Sequence, residues 1–406
     1  MFRPVRLTVL FASFAALALC ACGDDDGGNG NGNGNNNQNG NQNSGLDCIG
    51  GFVTSESGET CVYNPLSETT RTACGDIWED CDASGIPAPD LSCVGVADTP
   101  PPNPPTVTVE GFLDVFSSGP DPMDLTVQIF DADELIGVTR IDNSVTPLGE
   151  ITITEADLVA DLAAGIARAC FADSDDVGEH SVECPVPTAD CGGACQDDLN
   201  GTDFCYEGSC YDRLRYEGRF SIAGIPTHRP LVVRTAGLDE YDDNTWGVMA
   251  QANVYLRTTD PEYDEGAATY ELDAQILSRQ DWYKIPQTMG LSGGMSAGYG
   301  AIAGEVHDCA GIRLTGAQVG LYPQSSYFAY FNGNPLDTVP LTARLVDGTN
   351  SLGIYSEFEL PAGDIAVEAW GLINGTPTLL GQHNTLVFQD SVTVLSINDG
   401  KPTSTN

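Results

Sequence analysis

Gly353-Ile354-Tyr355-Ser356 leads, four residues on, to Leu360-Pro361, and Gly218-Arg219-Phe220-Ser221 leads at the same spacing to Ile225-Pro226. Each is followed by a second β-rich run, Ile365-Ala366-Val367 in one case and Leu231-Val232-Val233 in the other. The pattern has a physical reading. Glycine starts a strand, the aromatic side chain anchors it in a core, and proline ends its ladder because it lacks an N–H and fixes φ. The chain then turns back as the next strand. Two copies of this arrangement decide the fold class: mainly β, with tandem β-sandwiches.

Strands on either side fit that class. Thr106 through Phe112 carries β-branched and apolar residues at strand spacing, and Leu125 through Phe130 alternates apolar with polar. Gly119-Pro120-Asp121-Pro122 supplies turn chemistry between them. Tyr216 through Ile225 and Pro230 through Thr235 complete a first sandwich over 104–258. An insertion at about 154–215 splits it. There Thr154 is placed to cap a helix with Asp157 at the third position, and Leu158, Leu162, Ile166 and Cys170 form one apolar stripe. A connector follows at 259–298, with a short helix expected over Ala274–Tyr283 and ended by Pro286. The second sandwich occupies 299–398, with strands at Ala301–Val306, Ala317–Tyr322, Asp364–Ala369 and Ser391–Ile397; 399–406 is a tail.

This C-terminal stretch resembles the carboxypeptidase regulatory-like domain, a small transthyretin-like sandwich of about seven strands in Greek-key order. The carrying residues are Gly304-Glu305-Val306-His307-Asp308-Cys309-Ala310-Gly311, Leu314-Thr315-Gly316-Ala317-Gln318-Val319, Gly353-Ile354-Tyr355 and Leu360-Pro361-Ala362-Gly363. The Gly-Ala-x-Val step puts a small residue where sheets pack closely, and Leu-Pro-Ala-Gly reads as a hairpin turn. The stretch 104–258 lacks the Gly-Ala-x-Val step. The resemblance implies an accessory, structural or binding module and carries over no catalytic residue.

The N-terminal end reads as an export signal at 1–21. Arg3 and Arg6 precede an apolar run from Leu7 to Leu19, shorter than the roughly 20 residues a membrane span needs. Leu19-Cys20-Ala21-Cys22-Gly23 resembles the bacterial lipobox and makes Cys22 the lipidation candidate; Leu19 is a poor small-residue neighbour for the competing Cys20. Residues 22–45, almost all Asn, Gly and Gln after Asp24-Asp25-Asp26, lack apolar groups to bury and read as a disordered tether. Residues 46–103 form a Cys-rich module and a proline-dense linker. The module is too small to rely on its own core.

Of 14 cysteines, Cys20 leaves with the signal and Cys22 takes lipid. The others fall as Cys48, Cys61, Cys74, Cys81 and Cys93, then Cys170, Cys184, Cys191, Cys195, Cys205 and Cys210, then Cys309. In an oxidising compartment they form a disulfide framework. Parity sends one member of the first, odd cluster outside it, and Cys309 is the simplest partner.

The net charge of −42, from 16 Lys+Arg against 58 Asp+Glu, repels phosphate backbones, so nucleic acid is excluded as a partner. Apparent catalytic motifs fail on context. Gly290-Leu291-Ser292-Gly293-Gly294 has the G-x-S-x-G form but lacks the strand and helix that a nucleophile elbow needs. His180 and Glu183, with His307 downstream, have zinc-like spacing but no rigid scaffold. Asp198, Asn200 and Glu207 sit near EF-hand spacing in a loop that Cys205 interrupts. With the acidic loops at 173–176, 239–243 and 260–265, they make calcium the one cofactor the sequence leaves open. The expectation is a non-catalytic cell-envelope lipoprotein. It would be anchored to a membrane through its lipid at the outer membrane or cell surface of a Gram-negative bacterium, as a structural or protein-interaction module. The alternatives are a carbohydrate-binding surface protein and a calcium-stabilised adhesin-like protein, with envelope proteins or polysaccharide as partners. Tyr327, Phe328 and Tyr330, with Tyr322 and Phe331, are the rings offered for glycan stacking, against their reading as core and edge-strand residues.

Overall fold

The computed structural model describes residues 46–63, 67–72, 88–116, 122–157, 160, 218–332 and 338–398, and the backbone of four short strands between 169 and 215. The chain divides into two units, Met1–Ser44 and Gly45–Asn406, and everything below belongs to the second. Among the described residues no helix is long and apolar enough to cross a membrane.

The N-terminal module holds β1 (Phe52–Thr54), β2 (Cys61–Tyr63) and β3 (Thr70–Arg71). The first sandwich begins with β4 (Thr106–Gly111), β5 (Leu113–Val115), β6 (Leu125–Asp131) and β7 (Gly149–Ile153). Its insertion carries β8 (Ala169–Cys170), β9 (Phe204–Tyr206), β10 (Ser209–Tyr211) and β11 (Leu214–Arg215). It resumes with β12 (Phe220–Pro226), β13 (Pro230–Gly237) and β14 (Met249–Tyr255). Then come β15 (Tyr263–Asp264), β16 (Thr269–Glu271), β17 (Ala274–Ile276) and helix α1 (Arg279–Thr288). The second sandwich opens with β18 (Tyr299–Glu305), β19 (Leu314–Thr315), β20 (Gln318–Tyr322) and β21 (Tyr327–Phe331). It closes with β22 (Pro340–Leu341), β23 (Ile354–Pro361), β24 (Gly363–Ile373), β25 (Thr376–Val387) and β26 (Val392–Val394).

The two sandwiches share one sheet. Its order is β22-β21-β23-β18-β26-β14-β13-β6-β7, nine strands in all. The three residues of β26 join the halves, running parallel to β14 on one side and to β18 on the other. Val392 stands level with both Met249 and Ala301, and Thr393 with both Ala250 and Ile302. The close approach needs a bare backbone at Gly304, where a Cβ would lie 1.8 Å from the Leu395 carbonyl oxygen.

Opposite faces of this sheet are covered by different partners. In the first sandwich Leu125, Val127, Ile129, Leu231 and Val233 pack against Val107, Val109, Phe220 and Tyr270 of the four-stranded sheet β12-β4-β16-β15. The same face continues to Ala301, Val392 and Val394, where Trp282 and Ile285 of α1 cover it. The other face carries Phe130, Val232 and Ala250, then Ile302, Tyr330 and Tyr355. Against the latter lies the five-stranded sheet β1-β2-β20-β24-β25, through Val319, Leu321, Ile365 and Val367.

The repeated signature sits where the chain changes layer. Phe220 and Tyr355 are buried anchors, as their spacing implies. β12 ends at Pro226 in the four-stranded sheet and β13 continues in the shared one; β23 ends at Pro361 in the shared sheet and β24 continues in the five-stranded one. The expected Leu360-Pro361-Ala362-Gly363 hairpin is therefore an arch between sheets, because β23 and β24 are not paired.

A second correction concerns 274–288. Ala274–Ile276 is a strand parallel to Leu113–Val115, and the helix begins only at Arg279. The Ser278 side chain caps it by accepting from Asp281 N at 3.1 Å. Pro286 lies inside the last turn and does not end it; it loses its own N–H bond, but its carbonyl still accepts from Met289 N at 3.0 Å and Leu291 N at 3.1 Å. The 290–298 stretch is a run of turns. At the insertion, Thr154 N donates to Asp157 Oδ2 at 3.0 Å, one half of the expected capping exchange.

Candidate functional site

Where the chemistry-bearing residues stand decides what the molecule can do. Cys22, Cys74, Cys81, Cys184, Cys191 and Cys195 lie outside the described residues, as do His180, Glu183, Asp198, Asn200, Glu207 and the stripe of Leu158, Leu162 and Ile166. Cys170, Cys205 and Cys210 lie on short strands, the last two in register. Cys48 is bonded to Cys61, and Cys93 to Cys309 across 216 residues. Among the described residues no group of three or more His, Cys, Asp or Glu is placed to hold a metal ion. The acidic loop at 173–176 lies outside the described residues, and those at 239–243 and 260–265 use carboxylates internally. Asp243 Oδ1 accepts from Thr245 N and Trp246 N, and Asp260 from Arg257 and the Tyr270 hydroxyl.

His307 has a structural partner. Its Nε2 lies 2.7 Å from Glu305 Oε2, and Arg313 meets the same carboxylate through Nε at 2.8 Å and Nη2 at 3.1 Å. Burial alone would raise the Glu305 carboxyl, but Arg313 and His307 together hold it well below the usual carboxylate range. The next acid, Asp308, is fully buried and accepts from Asp90 N, Ala310 N and Ile312 N. It also pairs with Arg71. These bonds, the Cys93–Cys309 disulfide and the β3–β19 pairing tie the N-terminal module to the second sandwich. Thr60 Oγ1, donating to the buried Glu368 at 2.6 Å, adds to the tie. The polar motif of 304–311 is thus a clamp.

The glycan candidates require a correction. Phe328 is 3 % and Tyr330 0 % exposed, and Tyr327 packs partly buried beside α1. Their strand, β21, belongs to the shared sheet and is covered on both faces, so alternate residues enter two different cores. Tyr330 spends its hydroxyl inside, 3.1 Å from Gln318 Oε1, and takes a bond from Val319 N at 2.8 Å. Phe328 and Tyr330 offer no ring face to solvent, and Tyr327 is only partly accessible. Tyr322, at the end of β20, is different: it is 39 % exposed.

Among the described residues two concavities stand out. An apolar cavity of about 80 Å³ lies between α1 and the shared sheet, walled by Phe116, Met249, Trp282, Met295, Phe331 and Phe358. It is smaller than the roughly 150 Å³ that accommodates benzene in a dry core. A packing void explains it.

The second is a groove of about 580 Å³ at the corner between the sandwiches, inside the roughly 300–1,000 Å³ of small-ligand sites. Tyr322 is level with Ala366 on β24, and Ala366 with Asn384 on β25. Cross-strand partners in antiparallel pairs share a face, so ring, small residue and amide form one row. Asp364, two residues before Ala366, joins that face. The first sandwich supplies the opposite wall with Asn253 and Asp133, over a floor that includes buried Val232 and Ile365. Asn253 adopts φ +54° where the β13–β14 register shifts, and its amide reaches the Asn384 carbonyl at 3.5 Å. Asn384, Asp364 and Asp133 are exposed. Sequence reasoning reached Tyr322 as one aromatic among several; only the pairing of β20, β24 and β25 assembles the rest.

No family model matches the chain, and no curated protein matches it. Among solved structures, a streptococcal ancillary pilin aligns over 71% of this chain and 68% of its own, at 9% identity and a TM-score of 0.16. A variant of the shaft pilin from Lactobacillus rhamnosus GG aligns over 72% and 98%, at 9% identity and 0.15. A fimbrial protein from Bacteroides ovatus aligns over 74% and 50%, at 7% identity and 0.12. What the chain's own geometry carries is a mainly β body of stacked sheets, and similarity at these scores adds no argument to it.

Proposed function

We propose that the chain is a non-catalytic cell-envelope lipoprotein, held at a Gram-negative outer membrane or cell surface through Cys22, that displays a stiff β body as a structural or protein-interaction module. The observation that carries this reading is mechanical continuity. One nine-stranded sheet runs through both sandwiches by way of β26, and the N-terminal module adds β1 and β2 to the second sandwich's own sheet. A body built this way has no hinge at its middle, which suits display at the end of a tether. The buried Asp308, Arg313 and Glu368 and the half-buried Glu305 serve as ties within it. For the second sandwich, the regulatory-like resemblance is supported by β21, β23, β18 and β26 facing β20, β24 and β25 across one core.

Two measurements test it. Radiolabelled palmitate is expected in the wild-type chain and lost in Cys22→Ser. A pull-down of the tagged, surface-expressed protein, with and without calcium, is expected to return an envelope component. Absence of palmitate, or free thiols in protein taken from cells, overturns the reading; calcium-dependent recovery would favour the adhesin-like form.

A further inference from the structure

We propose that the groove at Tyr322 binds an uncharged polysaccharide. This deepens the display reading by naming the chemistry of a surface partner. A sugar ring offers two things to a protein: an apolar C–H face and a rim of hydroxyls that both donate and accept. The groove answers each. Tyr322 is 39 % exposed at one end of a cross-strand row, and an aromatic side chain of this kind gives an apolar face with a polar tip. Ala366, next in the row, is small enough to leave a step beside the ring, and Asn384 follows.

Hydrogen-bonding capacity surrounds that step. Asn384 and Asn253 each bring an amide with donors and an acceptor, and Asp364 and Asp133 bring acceptors only. Neighbouring hydroxyls on a sugar need this mixture. The acidic pair and the net charge of −42 disfavour uronic acids, sulfated glycans and phosphopolymers. An uncharged polymer meets no such barrier. The groove's walls come from both sandwiches, and the shared sheet fixes their spacing, so little ordering is needed on binding.

The test is affinity electrophoresis of the full-length chain in non-ionic detergent, in native gels containing dextran, xylan or galactomannan, with polygalacturonate as the anionic arm. Retardation by at least one neutral polymer is expected, with none by polygalacturonate. Tyr322→Ala should weaken it about tenfold, in line with the loss of one aromatic contact, and Asn384→Ala should weaken it too. Tyr283→Ala, an exposed tyrosine on α1, should change nothing. Thermal melts matched to wild type establish that the variants are folded. Mobility unchanged in every neutral polymer, retardation indifferent to both Tyr322→Ala and Asn384→Ala, or a preference for polygalacturonate would overturn the proposal. The gel does not depend on lipidation, so its failure leaves the display reading standing, and failed palmitate labelling leaves this one standing.

Discussion

Burial of Glu357 should make stability fall as pH rises above the ordinary carboxylate range. Glu357 lies on β23 in the core of the second sandwich and is fully buried. One carboxylate oxygen accepts from Ser325 N; the other has no partner among the described residues. Burial dominates over the hydrogen bonding from the Ser325 backbone and side chain and lifts the carboxyl from 4.5 to about 8. The folded state therefore holds a proton that the unfolded chain has released across the window from about 4.5 to about 8. Stability falls as pH rises through that window, by about 5 kcal/mol in total. Glu357→Gln keeps the shape and the acceptor for Ser325 but cannot ionise. Urea unfolding followed by tryptophan fluorescence, disulfides intact, should show the variant more stable than wild type. Its advantage should widen by roughly 2–3 kcal/mol between about pH 6 and about pH 9. Titrations elsewhere act on both proteins alike. A gap that stays constant or narrows over this range would refute the argument from desolvation.

The remaining predictions concern the ties. Arg313→Met leaves the half-buried Glu305 carboxylate with His307 alone and should cost about 1–3 kcal/mol; adding Glu305→Gln should recover much of that in a double-mutant cycle. Because the native Glu305 carboxyl is held low, its contribution is present above the unfolded value near 4.5 and disappears as pH drops through the native one. Acid titration of wild type against the double variant checks this. Replacing both Cys93 and Cys309 by Ser opens a loop of 216 residues. On a chain-entropy account that costs about 5 kcal/mol, and limited proteolysis should then cut first in the N-terminal module. Gly304→Ala drives a methyl into the Leu395 carbonyl and should destabilise by roughly 3 kcal/mol. Hydrogen exchange is expected to speed up first along β26 and its neighbours.

Local pattern was enough for much of the fold. Alternation in Leu125–Phe130 and the spacing from Tyr355 to Pro361 depend on one strand and its nearest turn, so they can be read before any partner is known. Cysteine parity likewise directed one member of the first cluster to Cys309, since counting needs no geometry. The hairpin expected at Leu360–Gly363 differs because a tight turn looks alike whether the next strand pairs beside it or crosses to another layer. The stretch before α1 differs because Ala274–Ile276 is a strand only by virtue of pairing with Leu113–Val115, some 160 residues earlier.

The candidate site was the least legible part. Tyr327, Phe328 and Tyr330 look as available as Tyr322 in a linear chain, and which ring meets solvent depends on whether a strand is covered on one face or both. What this polypeptide determined by itself was its β character, its acidic surface and the residues that end each strand, all consequences of neighbours a few positions apart. Only tertiary structure decided that Val392–Val394 joins two sandwiches into one sheet, and that Tyr322, Asn384 and Asn253 share a groove. Those outcomes rest on backbone pairing between strands that are not neighbours of one local pattern, β26 with β14 and β18, and β24 with β20 and β25, and such pairing leaves no periodicity to read.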